Sequence, residues 1–593
     1  MIARGVGLMP FAVACVSGLF FAGLVVLRVV RDGIQMYGCD GAPYIEHVAR
    51  LRVLKAFREG SLLQPFDLLV SADGAFPPLL HLASLPFSAL VGHQAEYVLL
   101  SGPVWLLLTA LAIGSVARSL SGDALVGVVA FIAALMLPAL HGFATRYYYD
   151  LPMATFIWWS TALFLAHADC RPVRAGLFAG LMMSAAALVK WSALPFGLPL
   201  LLGSALCESS TAPALPLHAR LRRRLPALLA ALALVGLVSG LFLWSSGPEN
   251  SYRTMQAESF ESAPPASPMP AALEQALPEL VSFPLRELWA GLQRPQGERF
   301  RFYVLSSISS VYSPLLAGLL AVLVGWWLLR DRRGWPLLLV TGLGTLAFLL
   351  LVLPVLDERF VLVAAPAPVI VAALGWRRLP DLLRVLVALL ALSCGAAVAL
   401  DFHFGSPAVW NEQRELMAAT DRLPPVRIRG LGLASSVKQL GWVRHDEQAD
   451  SQQAYREALW QRLKGCRFGR LAELDGRPIL GGCGNRFWWD YRADLDALRL
   501  LGPGRLDFQG GGVWSPADTG YGERGSHGPE LLLLGPDPAR AELGLPAPLV
   551  AEDWVQFGEV ADPLGSTRTV LLGRHDADPC DEREVDSLSP PEP

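Results

Sequence analysis

Long apolar stretches alternate with short polar gaps along the first 400 or so residues, and a crossing of the membrane takes about 20 mostly apolar residues. Stretches of that kind run at 8–29, 95–117, 122–143, 150–167, 175–190, 192–206, 225–245, 303–329, 335–355, 359–376 and 382–400. They predict a polytopic α-helical membrane protein with about eleven transmembrane helices. The stretches 175–190 and 192–206 are short and meet at Lys190-Trp191 without a polar loop; two tightly joined helices are expected there, because that count keeps every arginine cluster on one side. Arg118, Arg171 and Arg174, the run Arg220-Leu221-Arg222-Arg223-Arg224, Arg330, Arg332 and Arg333, and Arg377 and Arg378 all fall in alternate gaps. Such gaps face the cytoplasm by the positive-inside tendency. With Arg4 and a cytoplasmic start, an odd number of spans leaves the C-terminus outside, and the first stretch reads as an anchor rather than a cleaved signal.

Three outward segments are long enough to fold. The first, about 30–94, contains residues 44–57 with helical apolar spacing and a charged opposite face, as an interfacial amphipathic helix would have. The second, about 246–302, opens Ser-, Pro- and Glu-rich and then resumes helical periodicity through Leu273, Leu277, Leu280 and Leu288. The transmembrane domain is therefore placed at 1–402. The third outward segment, 403–593, is expected to be a soluble extracytoplasmic α/β or α+β domain. A helix is read at Gln453–Leu463, buried strands at 530–534 and 569–572, the turn of a terminal hairpin at Pro563–Ser566, and an acidic disordered tail from about 576. Among the outward cysteines, Cys466 and Cys483 are the pair favoured on proximity for a disulfide.

Composition agrees with the pattern: 53% of the 593 residues are hydrophobic and 17% charged, with a mean hydropathy of +0.41. Basic residues gather in inner loops and acidic ones in the tail, which excludes a nucleic-acid binder. The Ala, Arg, Leu, Gly and Pro bias points to a GC-rich genome and a bacterial inner membrane.

The outward gaps hold a different set of groups: Asp40, Arg146, Asp150, Lys190, Asp357, Glu358 and Arg359. A carboxylate at the outer end of a membrane helix can serve as a base towards a hydroxyl, and nearby cations can stabilise a departing phosphate. Each has a structural alternative. Asp40 fits a turn or cap, and Asp150, followed by Leu-Pro, fits a helix N-cap. Lys190 could snorkel to the interface, and Arg359 could pair with Asp357 or Glu358. Glu46 and His47 read as one solvated helix face.

Asp40-Gly41-Ala42-Pro43-Tyr44, Glu59-Gly60, Pro65, Phe76-Pro77-Pro78-Leu79-Leu80, Gly92, Arg118-Ser119-Leu120-Ser121-Gly122, Thr145 to Pro152, Leu188-Val189-Lys190 and Glu358-Arg359-Phe360 with Pro366 and Pro368 follow in an order that resembles the GT-C membrane glycosyltransferases. The branch most resembled contains the protein O-mannosyltransferases and lipid A aminoarabinose transferases, and the resemblance covers roughly residues 5–400. It implies transfer of a sugar from a polyprenyl-phosphate donor to a protein, lipid or glycan acceptor at the outer membrane face, with inversion. Asp40 would be the general base, and Arg146, Lys190 and Arg359 would hold the donor phosphate. Asp150 would orient the acceptor, the sugar or a cation, and Tyr44, His81 and Tyr149 are further substrate contacts to examine. The chain departs from the family pattern at Cys39-Asp40, where an acidic pair is usual, and at Phe76, where a lysine precedes the double proline. His81 is a candidate to compensate for that lysine. No cofactor is implied; the lipid-linked sugar is a substrate. A divalent metal stays open but is not favoured, since only Asp40 and Asp150 are obvious ligands. A transporter or flippase of a lipid-linked or small solute is the alternative of a different class, and an inactive scaffold of the same fold is a third. Helix centres almost free of charge and the large outer segments argue for surface chemistry.

Overall fold

The computed structural model describes residues 2–32, 79–91, 99–145, 147–190, 192–208, 215–246, 289, 292–293, 296–330, 334–352 and 358–404, together with six strands between 470 and 574. It divides into two units: residues 1–31, 74–80 and 100–441 form the first, and residues 32–73, 81–99 and 442–593 the second.

The described helices are α1 (Ile2–Asp32), α2 (Leu79–Val91), α3 (Ser101–Ser121), α4 (Ala124–Leu135), α5 (Pro138–Ala144), α6 (Asp150–His167), α7 (Pro172–Val189), α8 (Ala193–Leu206), α9 (Leu217–Ser246), α10 (Gln296–Ser306), α11 (Pro314–Arg330), α12 (Trp335–Ala347), α13 (Pro366–Arg377) and α14 (Asp381–Phe404). Helical backbone meets every one of the eleven apolar stretches. By length and composition, however, five described helices can cross a membrane, or six if the bent pair α4–α5 is one span. The difference comes from breaks. The stretch 122–143 is two helices bent by 63°, where Pro138 cannot continue α4. The stretch 303–329 is interrupted by a π-helical turn at Ser307–Val311 and by Ser313 in the left-handed region (φ 66°) before α11 begins. A second π turn at Phe348–Val352 follows α12, and a 3-10 turn at Glu358–Val361 precedes α13.

Within the first unit, α6 lies at the centre and packs against α3, α7 and α8, while α7 packs against α9. Small residues bring the backbones close, as in other membrane bundles: a Cβ on Gly176 of α7 would stand 2.2 Å from the Ala227 carbonyl oxygen of α9. Hydroxyls tie the same helices together. Thr109 of α3 and Thr155 of α6 are 2.6 Å apart at their Oγ1 atoms, and Ser160 of α6 donates to the Ala179 carbonyl of α7 at 2.8 Å. The outward faces stay apolar. Leu229, Leu232 and Leu237 of α9 and Leu382, Leu386 and Leu389 of α14 are exposed, which suits a lipid surround.

The end of α6 at His167 is fastened by charge. Arg224, fully buried on α9, meets Asp169 in a two-pronged pair, Nε to Oδ1 at 2.8 Å and Nη2 to Oδ2 at 2.6 Å. Its Nη1 also donates to the carbonyls of Ser204 and Cys207 at 3.1 and 2.8 Å, at the C-terminal end of α8. Arg220 donates to the Leu206 and Leu215 carbonyls and to Glu208. On the α13 side, Arg377 meets Asp123 at 2.5 Å, and Asp123 caps α4 by accepting from the Leu125 amide at 2.8 Å. The cluster read as a topological signal is therefore also a structural clamp. Removing one partner of a buried ion pair costs about 3–5 kcal/mol, so Arg224→Met is expected to lose most of the folded yield in detergent, read as thermal unfolding of the purified protein.

In the second unit six strands form one sheet in the order β3-β2-β1-β4-β6-β5, with β1 Arg470–Leu474, β2 Phe487–Asp490, β3 Gly511–Val513, β4 Leu531–Leu534, β5 Trp554–Ala561 and β6 Arg568–Arg574. β1 and β4 are parallel; every other pair is antiparallel, and a register shift between Gln556 and Gly558 interrupts β5–β6. β4 and β6 cover the two leucine-rich runs read as strands. The expected helix at 453–463, the hairpin turn, the tail and the cysteine pair lie outside the described residues, as does the interfacial helix of the first loop.

Candidate functional site

At the opposite end of α6 from the Arg224 clamp, three separate segments bring charge together. α6 starts at Asp150, and α7, running the other way, ends at Val189 with Lys190 as its C-terminal cap. Lys190 adopts extended backbone (φ −157°, ψ 132°), while its amide still donates to the Ala186 carbonyl at 3.0 Å. That one extended residue turns the ammonium group towards α6. Its Nζ lies 3.4 Å from each carboxylate oxygen of Asp150. Asp150 is fully buried and Lys190 is 6% exposed.

The two residues partner each other. Tyr149, not Asp150, occupies the cap position of α6, and no side chain caps that helix; the carboxylate serves Lys190 instead. The ammonium group of Lys190 is buried and partnered by that carboxylate.

Aromatic rings complete the cluster. Lys190 Nζ stands 5.5 Å from the ring centre of Tyr148 and 5.4 Å from that of Phe360. Arg359, in the 3-10 turn, lies over the same two rings, at 5.3 and 5.0 Å, and donates through Nη1 to the Tyr148 hydroxyl. Cations over ring faces gain about 0.5–2 kcal/mol each, more when water is excluded. Phe360 in turn stacks on Phe196 of α8 at 6.4 Å, and Trp158 of α6 donates from its indole nitrogen to the Val363 carbonyl at 3.0 Å. The turn carrying Arg359 is thus anchored to α6 and α8. Two cations, one carboxylate and a phenol converge within a few ångströms.

Distances separate this cluster from the clamp at the far end. Charge-assisted hydrogen bonds usually run at 2.7–2.9 Å, and Arg224–Asp169 meets that standard. Asp150–Lys190, at 3.4 Å to both oxygens, is a looser contact, with the ammonium group shared between a carboxylate and two rings. Such a cation can turn part of its charge to an incoming anion without unfolding the helices that carry it.

The loop leading into the site is set by a close approach. Gly102, in the first turn of α3, faces Ala144, the last residue of α5: a Cβ there would sit 1.8 Å from the Ala144 carbonyl oxygen. Gly102→Ala must push the loop that begins at Thr145. Overpacking costs about 1–3 kcal/mol, and the expected outcome is a lowered melting temperature together with reduced turnover in the assay proposed below.

Of the residues singled out in the sequence, Asp150, Lys190 and Arg359 meet here. Tyr149 is buried beside Tyr148, with ring centres 5.9 Å apart. His81 is buried on α2, within the second unit. Asp40, Tyr44 and Arg146 lie outside the described residues. Tyr148 and Phe360 were not singled out, although each touches both cations; the signal for them was adjacency to Tyr149 and Arg359. Among the described residues no group of three His, Cys, Asp or Glu side chains could hold a metal ion.

No protein-family model and no curated protein matches the chain. Solved structures do. ArnT from Cupriavidus metallidurans in the apo state matches at 14% identity and a TM-score of 0.49 over 100% of both chains. The same protein bound to undecaprenyl phosphate matches at 14% identity and 0.47, over 96% of this chain and 98% of that one. The archaeal oligosaccharyltransferase AglB from Archaeoglobus fulgidus, in complex with an inhibitory peptide and a dolichol-phosphate, matches at 12% identity and 0.41, over 76% of this chain and 58% of that one. All three fall below a TM-score of 0.5, so a functional reading has to rest on the chemistry of the cluster at the start of α6.

Proposed function

We propose that this chain is an inverting membrane glycosyltransferase, which moves a sugar from a polyprenyl-phosphate donor to an acceptor at the outer face of a bacterial inner membrane. The observation that carries the reading is the loose Asp150–Lys190 pair sharing Tyr148 and Phe360 with Arg359. Buried charge is costly in a membrane bundle and marks function by default. Here two cations share the rings of Tyr148 and Phe360, a placement suited to an anionic ligand, and they stand at the end of α6 remote from the arginine-rich clamp. The basic loops then face the cytoplasm and the cluster faces outward.

In the reaction, Lys190 and Arg359, with Arg146, hold the donor phosphate. Asp150 keeps Lys190 in place and offsets part of its charge, so that the free site binds anions without trapping them. Tyr148 accepts from Arg359 and fixes the guanidinium orientation. Asp40, assigned from the sequence resemblance, takes the proton of the acceptor hydroxyl as that oxygen attacks the anomeric carbon. The bond from that carbon to the phosphate oxygen breaks on the opposite side, which inverts the configuration. The negative charge growing on the departing polyprenyl phosphate is what the cations stabilise, a preorganised electrostatic contribution.

The test incubates the purified protein with labelled polyprenyl-phosphate hexoses and pentoses and a membrane extract as acceptor. Release of polyprenyl phosphate coupled to labelling of the extract is the expected result. No release from any donor would overturn the proposal and bring the transporter reading forward.

A further inference from the structure

The exposed apolar stripes of two neighbouring helices both end in arginine. On α7, exposed Leu177, Phe178 and Leu181 follow Arg174 at steps of three, four and seven residues; on α9, exposed Leu225, Leu229 and Leu232 follow Arg222 at three, seven and ten. That spacing keeps each arginine on the face of its own stripe. The helices lie side by side and run in the same direction, since Gly176 packs against Ala227 and Gly180 against Ala231. One turn further back in that register, Pro172 stands level with Arg223. Arg223 confirms the proximity by donating through Nη2 to the Asp169 carbonyl at 2.5 Å, two residues before Arg171. Arg171, Arg174, Arg222 and Arg223 are all exposed, so four cations gather where the apolar surface of these two helices ends.

The fold draws on other groups here. Asp169 is the one acid in 167–174 and 217–225, and the buried Arg224 holds it; Glu208, beyond α8, pairs with Arg220. The positive charge of the exposed four is therefore left over. Arg174 also keeps its guanidinium 5.4 Å from the ring centre of Phe178, against the apolar stripe rather than extended into water. A topological signal needs only positive charge in a loop; arginines aligned over two adjacent apolar stripes go beyond it. One ligand matches both parts of this surface. Guanidinium groups suit a phosphate diester, and acyl chains suit the leucine stripes, which a soluble anion would leave unused.

We infer that α7 and α9 form a binding site for an anionic phospholipid, its phosphate held among Arg171, Arg174, Arg222 and Arg223 and its acyl chains lying along the two stripes. The site is at the opposite end of α6 and α7 from the Asp150–Lys190 pair and does not depend on the glycosyl-transfer reading. The experiment titrates the purified full-length protein in neutral detergent with phosphatidylglycerol or phosphatidylcholine, reading bound lipid by mass spectrometry of the intact complex, and then adds inorganic phosphate as a competitor. Wild type should bind phosphatidylglycerol at least tenfold more tightly than phosphatidylcholine. Arg171→Gln/Arg174→Gln/Arg222→Gln should lose that preference, and the single variants Arg174→Gln and Arg222→Gln, which disturb the fold least, should each weaken it about fivefold, the usual worth of one basic group near an anionic lipid. Arg118→Gln/Arg330→Gln/Arg378→Gln removes the same charge from exposed positions elsewhere and should keep the preference. Equal binding of the two lipids by wild type, or equal loss in the two triple variants, would overturn the inference. Displacement of phosphatidylglycerol by an equal concentration of inorganic phosphate would overturn it in favour of a free-anion site.

Discussion

Lys190→Met is expected to lower donor-dependent turnover about 10²–10³-fold, the usual consequence of removing one preorganised group that stabilises developing negative charge. Methionine keeps the length and apolar stem of lysine, so the packing between Tyr148 and Phe360 changes little. What is lost is the charge between Asp150 and the donor phosphate. The substitution also leaves the fully buried Asp150 carboxylate without its ammonium partner, which costs about 3–5 kcal/mol. Loss of activity could then reflect unfolding alone. Combining it with Asp150→Asn separates the two effects: the double variant carries no orphan charge and should recover thermal stability. If the charge of Lys190 is used in catalysis, turnover in the double variant stays down. Recovery of turnover along with stability would reduce Lys190 to a scaffold role.

Asp40→Asn is the second large effect. A general base in the transition state contributes about 10²–10⁴-fold, and asparagine retains the shape while losing the ability to accept the acceptor's proton. The expected result is turnover reduced by that factor with donor binding unchanged, measured as release of polyprenyl phosphate alongside a direct binding titration. Weakened donor binding in this variant would instead assign Asp40 to the donor side of the site.

The candidate site was legible because charge is scarce in an apolar chain. Asp150, Lys190 and Arg359 stood out in the sequence for that reason, though they come from segments up to 209 residues apart. Tyr148 and Phe360 did not stand out, since aromatics are common near membrane interfaces, and their use by two cations is a property of the fold. Asp150 before Leu-Pro matched the rule for an N-cap; the helix begins one residue earlier than that rule expects, so the carboxylate points to Lys190. The breaks in 122–143 and 303–329 were hidden because hydropathy averaged over a span does not register a single residue. Pro138, and Pro314 after five serines in eight positions, were the local signs. Arg224 was read for its charge alone, because its pairing with Asp169, 55 residues away, and its bonds to the carbonyls at the end of α8 depend on how α6, α8 and α9 pack.

The account's central claim is that the cluster at the start of α6 holds a lipid phosphate. Titration of the purified wild type with polyprenyl phosphate and with the corresponding polyprenol, beside Lys190→Met/Asp150→Asn and Arg359→Met, tests it most directly. The wild type should bind the phosphate at least tenfold more tightly than the alcohol, and both variants should lose that preference. Equal binding of phosphate and alcohol by the wild type, or an unchanged preference in both variants, would contradict it.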